Sequence, residues 1–214
     1  MRIVRDDPDD PDPGFAELYA ALPFEVDLEP WLSLARAARP PVLYLGVGTG
    51  RLAVPLARAG IDLVGVEPHP GMLEVLQQRL PQLRTIQARL EDLVIDERFD
   101  LVIAPSHLLS AAPRLAGATR LLAPRGRLAL ELMNPHWLAA GDRPRVRVRG
   151  FDGKQADIEV DYPTGHTHLA RVALVWPEQV EEWLARAGLR LVRLGGGDRL
   201  ASSPSFHVVA TMAR

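Results

Sequence analysis

Three glycines and one carboxylate form the clearest chemical pattern in this 214-residue chain. Gly46, Gly48 and Gly50 follow an apolar run at alternate positions, and Glu67 ends a second apolar run that begins at Ile61. Glycine lets a backbone turn sharply and lets a ligand approach it closely. A carboxylate that ends the second strand can accept hydrogen bonds from both hydroxyls of a ribose. The pattern therefore predicts a site for a nucleoside-bearing cofactor at the carboxyl edge of a parallel sheet.

The spacing of the glycines distinguishes between kinds of nucleotide. A dinucleotide-binding turn follows the pattern G-x-G-x-x-G, in which the third glycine lets the helix pack closely beside a pyrophosphate. Here Arg51 occupies that third position, and the last glycine comes one residue earlier. The spacing weighs against a nicotinamide-dependent oxidoreductase, which stays an alternative hypothesis and predicts affinity for a dinucleotide.

The elements that must position these residues alternate regularly between residues 42 and 133. Strands are predicted at 42–46, 62–66, 83–87, 99–104 and 126–133, and helices at 50–59, 70–80 and about 113–122. Two short helices, at 15–22 and 28–38, are expected before them. Such alternation predicts an α/β fold with a parallel sheet covered by helices on both faces.

Residues 143–176 interrupt this alternation with two rows of opposite charge. Arginines recur at every second position over 143–149, and acids do the same over 157–161, on either side of a glycine turn. The pattern predicts a β-hairpin. The arginine row could bind anions or nucleic acid, or it could be a solvated face neutralised by the neighbouring strand. The matching acids favour the second interpretation.

The charges also predict the register of this hairpin, because facing residues of antiparallel strands lie on the same side of the sheet. Arg147 is expected opposite Glu159, which sets Arg149 opposite Asp157 and Arg145 opposite Asp161. This register needs an odd-numbered loop, residues 152–154. A third strand, predicted at 168–176, would complete an antiparallel sheet.

Composition limits the classes of function. The chain contains no cysteine, which excludes disulfides, thiolate nucleophiles and cysteine-based metal sites. A net charge of −2 argues against a dedicated nucleic-acid binder. No apolar run approaches the ~20 residues of a membrane span, and the polar N-terminus does not resemble a secretory signal. These features favour a cytoplasmic protein of one domain, with an acidic flexible tail over residues 1–14.

The glycine turn and its downstream acid resemble motif I of class I S-adenosylmethionine-dependent methyltransferases. The resemblance extends over roughly residues 15–214. Residues 68–73 are similar to the stretch that follows the family's ribose-binding acid, 88–93 to its adenine-binding segment, and 121–128 to the turn before its fifth strand. Residues 177–194 look like its last helix and sixth strand, and residues 206–212 look like its seventh strand.

The resemblance implies a Rossmann-like doubly wound sheet of seven strands. Their order would be 3-2-1-4-5-7-6, with the last strand antiparallel and a small antiparallel β insertion after the fifth strand. The methyltransferase core would comprise residues 15–142 and 177–214. The insertion, residues 143–176, would cap the substrate pocket or form a homodimer contact.

The resemblance also implies a cofactor, S-adenosylmethionine, which would leave as S-adenosylhomocysteine. The residues expected to bind it are Tyr19, Gly46, Gly48, Gly50, Arg51, Glu67, Pro68, Met72, Leu90, Glu91 and Ala104. Arg51 would neighbour the methionine carboxylate, unless it is a surface arginine, and Tyr19 would close over the cofactor, unless it only packs. Arg89 and Arg125 depart from the family pattern, which motivates the alternative of a catalytically silent binding or regulatory protein.

The expected reaction is methyl transfer to a nitrogen or oxygen atom of a small molecule by in-line displacement. The protein then has to align the nucleophile and remove one proton. The expected acceptor site contains residues past the fourth and fifth strands: Ser106, His107, Asn134 and His136. His107 is the candidate catalytic base, since its ordinary pKa is near neutral, although it could only shape the pocket.

Two features of these segments narrow the expected chemistry further. Ser106 is an equally good candidate for a helix N-cap. An (Asp/Asn)-Pro-Pro-(Tyr/Phe) stretch, which marks methyltransferases of adenine and protein glutamine, is missing after the fourth strand. No metal site is expected, because His166 and His168 lack an identifiable third ligand.

Overall fold

The computed structural model describes residues 2–5, 12–23, 27–195, 200 and 202–213. These residues form the strands β1 Arg2–Arg5, β2 Val42–Leu45, β3 Leu63–Val66, β4 Arg84–Ile86, β5 Phe99–Ala104, β6 Leu122–Met133, β7 Val146–Phe151, β8 Gln155–Asp161, β9 His166–Ala173, β10 Leu189–Leu194 and β11 Ser205–Met212. Their helices are α1 Pro13–Ala20, α2 Trp31–Arg36, α3 Ala53–Arg58, α4 Pro70–Arg79, α5 Ala112–Thr119, α6 Pro135–Ala139 and α7 Val180–Arg186. Short 3₁₀ helices span His107–Ser110 and Pro177–Gln179.

A seven-stranded sheet forms the centre of the protein, in the order β10-β11-β6-β5-β2-β3-β4. Five neighbouring strands, β6, β5, β2, β3 and β4, run parallel to one another. Strand β11 runs antiparallel to both of its neighbours, β6 and β10. Numbered along the core, this order is 3-2-1-4-5-7-6 with an antiparallel last strand, which confirms the prediction. The carboxyl ends of β2, β3 and β5 therefore meet at one edge of the sheet.

Alternating side chains of the sheet supply the core on its two faces. Leu43 and Leu45 of β2 pack in one cluster with β5, β6 and α5. Val42 and Tyr44 point to the other face and pack with α2, α3 and α4. Because both faces are covered, the strands are buried along most of their length.

A second sheet of four strands, in the order β1-β9-β8-β7, contains the predicted insertion. The predicted flexible tail over residues 1–14 is wrong for its described parts. Residues 2–5 form β1, which pairs in parallel with β9, and residues 13–14 begin α1. Val4 is buried with Phe15, and this apolar contact holds β1 in place. The acidic residues next to β1 in the sequence gave no indication of it. Residues 6–11 lie outside the described part of the chain.

The hairpin within the insertion has the predicted pairing at its centre and a different turn. Arg147 lies opposite Glu159 and forms an ion pair with it at 2.8 Å. The Asp152 N–H bonds to the Gln155 carbonyl, so the loop has two residues rather than the predicted three. A β-bulge at Arg149 absorbs the difference. The predicted pair of Arg149 with Asp157 is therefore wrong.

The charges displaced by this bulge find other partners. Arg149 donates to Glu159 at 2.8 Å, and Asp157 pairs with Arg171 of β9 at 2.6 Å. Arg147 also binds Asp161. Two of the four arginines of the row, Arg147 and Arg149, are thus neutralised by acids of the same sheet, as the solvated-face interpretation expects.

His168 is a buried ionisable group where this sheet meets α1. Its ring lies 4.9 Å from that of Phe15, and its Nε2 is buried without a hydrogen-bond partner among the described residues. Burial lowers the pKa of His168 to about 4. The unfolded chain, with a histidine pKa near 6.5, therefore binds this proton more readily than the folded protein does.

We expect this histidine to make the fold less stable in mild acid. The free energy of unfolding should fall by about 2 kcal/mol between pH 7.5 and pH 5 through His168 alone. The loss begins as the pH drops below the unfolded value and is complete below about 4. Urea unfolding at the two pH values should show a smaller fall in His168→Phe and an unchanged fall in the control His166→Gln. An equal fall in all three proteins would contradict the assignment.

Candidate functional site

The glycine turn has the conformation that its sequence predicts. Gly46, Gly48 and Gly50 have φ angles of 70°, 54° and 84°, a region that side chains other than glycine rarely adopt. A Cβ atom on Gly50 would lie 2.5 Å from Cδ1 of Leu76. The turn therefore packs directly on α4, and its positive φ angles explain why α3 begins only at residue 53.

Replacing Gly50 with alanine is expected to lower the free energy of unfolding by about 2–4 kcal/mol, since it combines a left-handed conformation with a clash. Gly60 is a matched control, because its φ is 84° and nothing lies within 4 Å of its Cβ position. Gly60→Ala should cost about 1–2 kcal/mol. Urea unfolding of both variants separates the two effects, and equal losses would show that the contact with Leu76 costs nothing.

Glu67 lies at the carboxyl end of β3, where two backbone groups hold its side chain. Oε2 accepts a hydrogen bond from the N–H of Gly48 at 3.0 Å, and Oε1 accepts one from the N–H of His69 at 3.0 Å. The carboxylate is 7% exposed. The structure thus joins the predicted acid to the glycine turn in one rigid unit.

His69 extends this unit to α1, which sequence reasoning did not anticipate. Its Nδ1 accepts a hydrogen bond from the N–H of Met72 at 3.4 Å, and its Nε2 lies 3.2 Å from the carbonyl oxygen of Asp12. These two contacts fit a neutral ring that carries its proton on Nε2. His69 therefore caps α4 and connects it with the first residue before α1.

Tyr19 lies where α1, the glycine turn and the insertion meet. Its ring packs 4.9 Å from that of Phe15, and its carbonyl oxygen accepts from Thr49 Oγ1 at 3.4 Å. Its side chain shares a hydrogen bond with Tyr162, which directly follows β8. Met72 is buried beside it, with Sδ 3.4 Å from a Cβ position on Gly48. Both predicted residues are thus at the wall of the site.

Two arginines fix the turn to the preceding segment. Arg51 donates from Nε to the carbonyl oxygen of Pro23 at 3.1 Å. Arg79 of α4 donates to the carbonyl oxygens of Thr49 at 2.9 Å and Ala20 at 2.6 Å. Burial, followed by the charge of Arg51, lowers the pKa of Arg79. Arg79 is recognisable in the sequence only as an arginine in the last turn of a predicted helix.

The residues expected around the adenine have different surroundings. Pro68 is half-buried after Glu67, and Leu90 is buried under α5. Glu91 is exposed, and its Oε1 accepts from Arg114 of α5 at 2.8 Å. Ala104 is fully buried in the core.

Ser106 and His107 follow β5 at the same edge of the sheet. Ser106 Oγ lies 3.4 Å from a Cβ position on Gly46, which places the hydroxyl against the turn. Ser106 is the N-cap residue of the 3₁₀ helix, but its side chain makes no capping hydrogen bond. His107 Nδ1 is buried and has no partner within the described ranges. Burial lowers the pKa of His107, an effect partly offset by Glu131.

Glu131 is a half-buried acid of β6 that sequence reasoning missed. Its Oε1 accepts a hydrogen bond from Ser205, and it lies opposite His207 on β11. With burial and Glu67, its charge also raises the pKa of Tyr44. The available signal was one acid within an otherwise apolar run, residues 128–132. Such an acid at the carboxyl end of a buried strand is a candidate for function.

Asn134 and His136 have contacts that differ from the predicted contacts with a substrate. Asn134 is fully buried, and its Nδ2 donates to the carbonyl oxygens of Leu200 and Ser203. Its Oδ1 accepts from the N–H of His136 at 3.1 Å and caps α6. Its amide is thus committed to backbone contacts, which is a structural role.

His136 lies on α6, where it contacts the segment that follows the insertion. Its Nε2 lies 2.8 Å from Oε1 of Glu178, and its ring meets that of Trp176 edge-on at 4.8 Å. These contacts join α6 to the chain that leads into α7. They give His136 a packing role, and its contact with a substrate stays a prediction.

Two properties of the described residues bear on other classes of protein. They contain no group of three or more metal-ligating side chains that could hold an ion. His166 of the H-x-H pair contacts Thr164 at 3.1 Å, whereas His168 packs on Phe15. None of the described helices has the length and apolar character to cross a membrane.

A doubly wound sheet with a glycine turn and a fixed carboxylate at its carboxyl edge defines a nucleotide-binding α/β protein. The sequence profile of the methyltransferase domain family matches residues 42–126. Demethylmenaquinone methyltransferase of Beutenbergia cavernae is 30% identical over 165 residues, which cover 73% of this chain and 69% of that protein. The chain belongs to the class I S-adenosylmethionine-dependent methyltransferases.

Two further similarities show less about this chain, because one covers only part of the relative and the other is a similarity of fold. An uncharacterized methyltransferase of Mycobacterium tuberculosis is 33% identical over 149 residues, which cover 68% of this chain and 60% of that protein. The match thus spans about 60% of the length of that relative. The structure of CalS10, an amino pentose methyltransferase of Micromonospora echinaspora with bound S-adenosylmethionine, has 19% identity and a TM-score of 0.68. The alignment covers 94% of this chain and 97% of the CalS10 chain, and the two proteins share the fold.

Proposed function

We propose that the protein transfers a methyl group from S-adenosylmethionine to a nitrogen or oxygen atom of a small molecule. The observation that carries this proposal is the geometry of Glu67, whose carboxylate is held beside the Gly48 N–H at the edge of the sheet. A carboxylate in this place can accept the two ribose hydroxyls of the cofactor. Gly46 and Gly48 keep the turn free of side chains where the nucleoside would approach, whereas Gly50 lets the turn pack on Leu76.

The remaining contacts of the cofactor are assigned from their places around this unit. Tyr19 and Met72 form the wall beside the turn, and Pro68 and Leu90 would flank the adenine. Arg51 lies next to the turn, where its charge can meet the methionine carboxylate. Glu91 is a weaker candidate, because its carboxylate already pairs with Arg114.

His107 is the proposed catalytic base. Methyl transfer needs a nucleophile that has lost a proton, and a neutral imidazole can accept one. Burial keeps the pKa of His107 below its ordinary value, so the ring is neutral at pH 7. Ser106, beside Gly46, is proposed to contact the acceptor.

The insertion is proposed to act as the cap of the acceptor pocket. The hydrogen bond between Tyr162 and Tyr19 connects it to the cofactor wall, and β1 ties its edge to α1 through Val4. These contacts favour a cap over the alternative of a homodimer contact. The named acceptors of the relatives, demethylmenaquinone and an amino pentose, are both small molecules.

Calorimetric titration tests the cofactor and separates the alternatives. We expect micromolar binding of S-adenosylmethionine and S-adenosylhomocysteine and no binding of NAD. Binding of NAD alone would establish the oxidoreductase hypothesis. Binding of the sulfur nucleosides without transfer to any amine, hydroxyl or carboxylate acceptor would support the catalytically silent protein.

A further inference from the structure

Glu131 lies on β6 beside the segment that leads from β5 to His107. Leu130 pairs with Ala104, so Glu131 is the next residue of β6 along the edge where the chain leaves β5 towards His107. It shares a face of the sheet with Tyr44 and with His207, which lies directly opposite it on β11. Polar side chains of three other strands or their ends therefore lie near this carboxylate.

The surroundings of Glu131 leave part of its hydrogen-bonding capacity open. Oε1 accepts from the hydroxyl of Ser205. No described residue donates a hydrogen bond to Oε2 of Glu131. This oxygen is not fully buried, so a ligand can reach it. A carboxylate that is half-buried in an apolar strand costs free energy unless a cation or donors compensate it. The described part of the chain places no arginine or lysine in an ion pair with it.

We propose, on the basis of the function proposed above, that the methyl acceptor is an amine that binds as an ammonium ion between Glu131 and His107. Oε2 of Glu131 accepts a hydrogen bond from the ammonium group. Nδ1 of His107 is buried and has no partner in the described part of the chain, so the ring has to move when the amine binds before this nitrogen accepts a proton from the ammonium group. A hydroxyl or carboxylate acceptor would leave the Glu131 charge without a counterion.

The proton and charge balance of this step closes without another reactant. The ammonium nitrogen gives one proton to His107 Nδ1, and the freed lone pair attacks the methyl carbon of the sulfonium. A carbon–nitrogen bond forms as the carbon–sulfur bond breaks, and the sulfur keeps the electron pair in neutral S-adenosylhomocysteine. The product is a methylated ammonium ion that Glu131 can still bind, and His107 later releases its proton to water.

Matched probes on the intact protein test the nature of the acceptor. Trios of amine, alcohol and carboxylate on the same carbon skeletons, such as benzylamine, benzyl alcohol and benzoate, are offered to the protein loaded with S-adenosylhomocysteine. Ligand-observed NMR measures binding, and radiolabelled S-adenosylmethionine measures transfer to the same probes. The variant Glu131→Gln keeps the acceptor for Ser205 and removes the charge. Glu182→Gln, on the exposed face of α7, is the control.

The expected result is a preference for the amine member of a trio that falls about tenfold in Glu131→Gln and is unchanged in Glu182→Gln. Affinity for S-adenosylmethionine should change less than twofold. A preference for alcohols or carboxylates, no preference, or an amine preference that survives in Glu131→Gln overturns the proposal. A variant that loses S-adenosylmethionine but keeps S-adenosylhomocysteine overturns it too, because Glu131 would then face the sulfonium. Failure of the wild-type protein to bind either nucleoside refutes the proposed function itself.

Discussion

Glu67→Gln is expected to bind S-adenosylmethionine roughly 100-fold more weakly than the wild-type protein does. The substitution replaces two charge-assisted hydrogen bonds to the ribose with weaker neutral ones. It also disturbs the unit that Glu67 forms with the N–H groups of Gly48 and His69, because an amide has only one oxygen to accept from both sides. The loss should affect S-adenosylmethionine and S-adenosylhomocysteine equally, since both carry the same ribose.

Titration calorimetry on Glu67→Gln and on Glu74→Gln measures this effect. Glu74 is an exposed acid of α4, so its replacement should leave the affinity unchanged. Circular dichroism and the urea midpoint show whether the variant keeps its fold. Wild-type affinity in a folded Glu67→Gln protein would refute the assignment of the ribose to this carboxylate.

His107→Ala is expected to reduce kcat for transfer to an accepted amine by about 10²–10⁴-fold, the usual contribution of a general base. Because burial lowers the pKa of His107, the neutral and active form persists below pH 6.5. The rate in the wild-type protein should therefore fall on the acid side only below that pH. Above it, the rate should be insensitive to this group.

Single-turnover transfer measured against pH tests the role of His107, with His166→Gln, at a half-buried position of β9, as a control. Cofactor affinity in His107→Ala should stay within threefold of wild type, which separates the loss of a base from the loss of the site. An acid limb that persists in His107→Ala would assign the titrating group elsewhere, and an unchanged kcat would reduce His107 to a residue that shapes the pocket.

The central sheet could be predicted because its signals are local and repeated. Each strand is a short apolar run followed by a turn and a helical pattern, and the three glycines mark the point where the backbone needs positive φ. The β1 strand could not be found in this way. Its partner β9 is far away in the sequence, and the four residues of β1 stand next to a polar acidic run.

The hairpin shows how a correct pairing can accompany a wrong loop. Charge complementarity placed Arg147 opposite Glu159, and the structure confirms that pair. The predicted odd number of loop residues was wrong, because a β-bulge shifts the register by one residue at little cost. Sequence patterns report which side chains prefer to face one another, but they do not report where an extra residue is inserted.

The part of the site that lies within one continuous segment of the chain could be predicted. The part that forms where distant elements meet was harder to predict. Glu67 and the glycine turn lie within one strand–helix–strand unit, whereas Glu131 depends on the neighbours of β6 in the folded sheet. Asn134 carried a signal that was misread. An asparagine followed by proline is typical of a helix N-cap, and the structure uses it as one for α6.

The parallel pairing of β1 with β9 has a consequence for the order in which the protein assembles during synthesis. Residues 2–5 leave the ribosome long before their hydrogen-bonding partners, residues 166–169, have been translated. Until then Val4 cannot complete the apolar contact with Phe15 and Met72 behind the glycine turn. Contacts between such remote segments form slowly because a long loop must first close. The cofactor wall is therefore completed late, after the insertion sheet has folded.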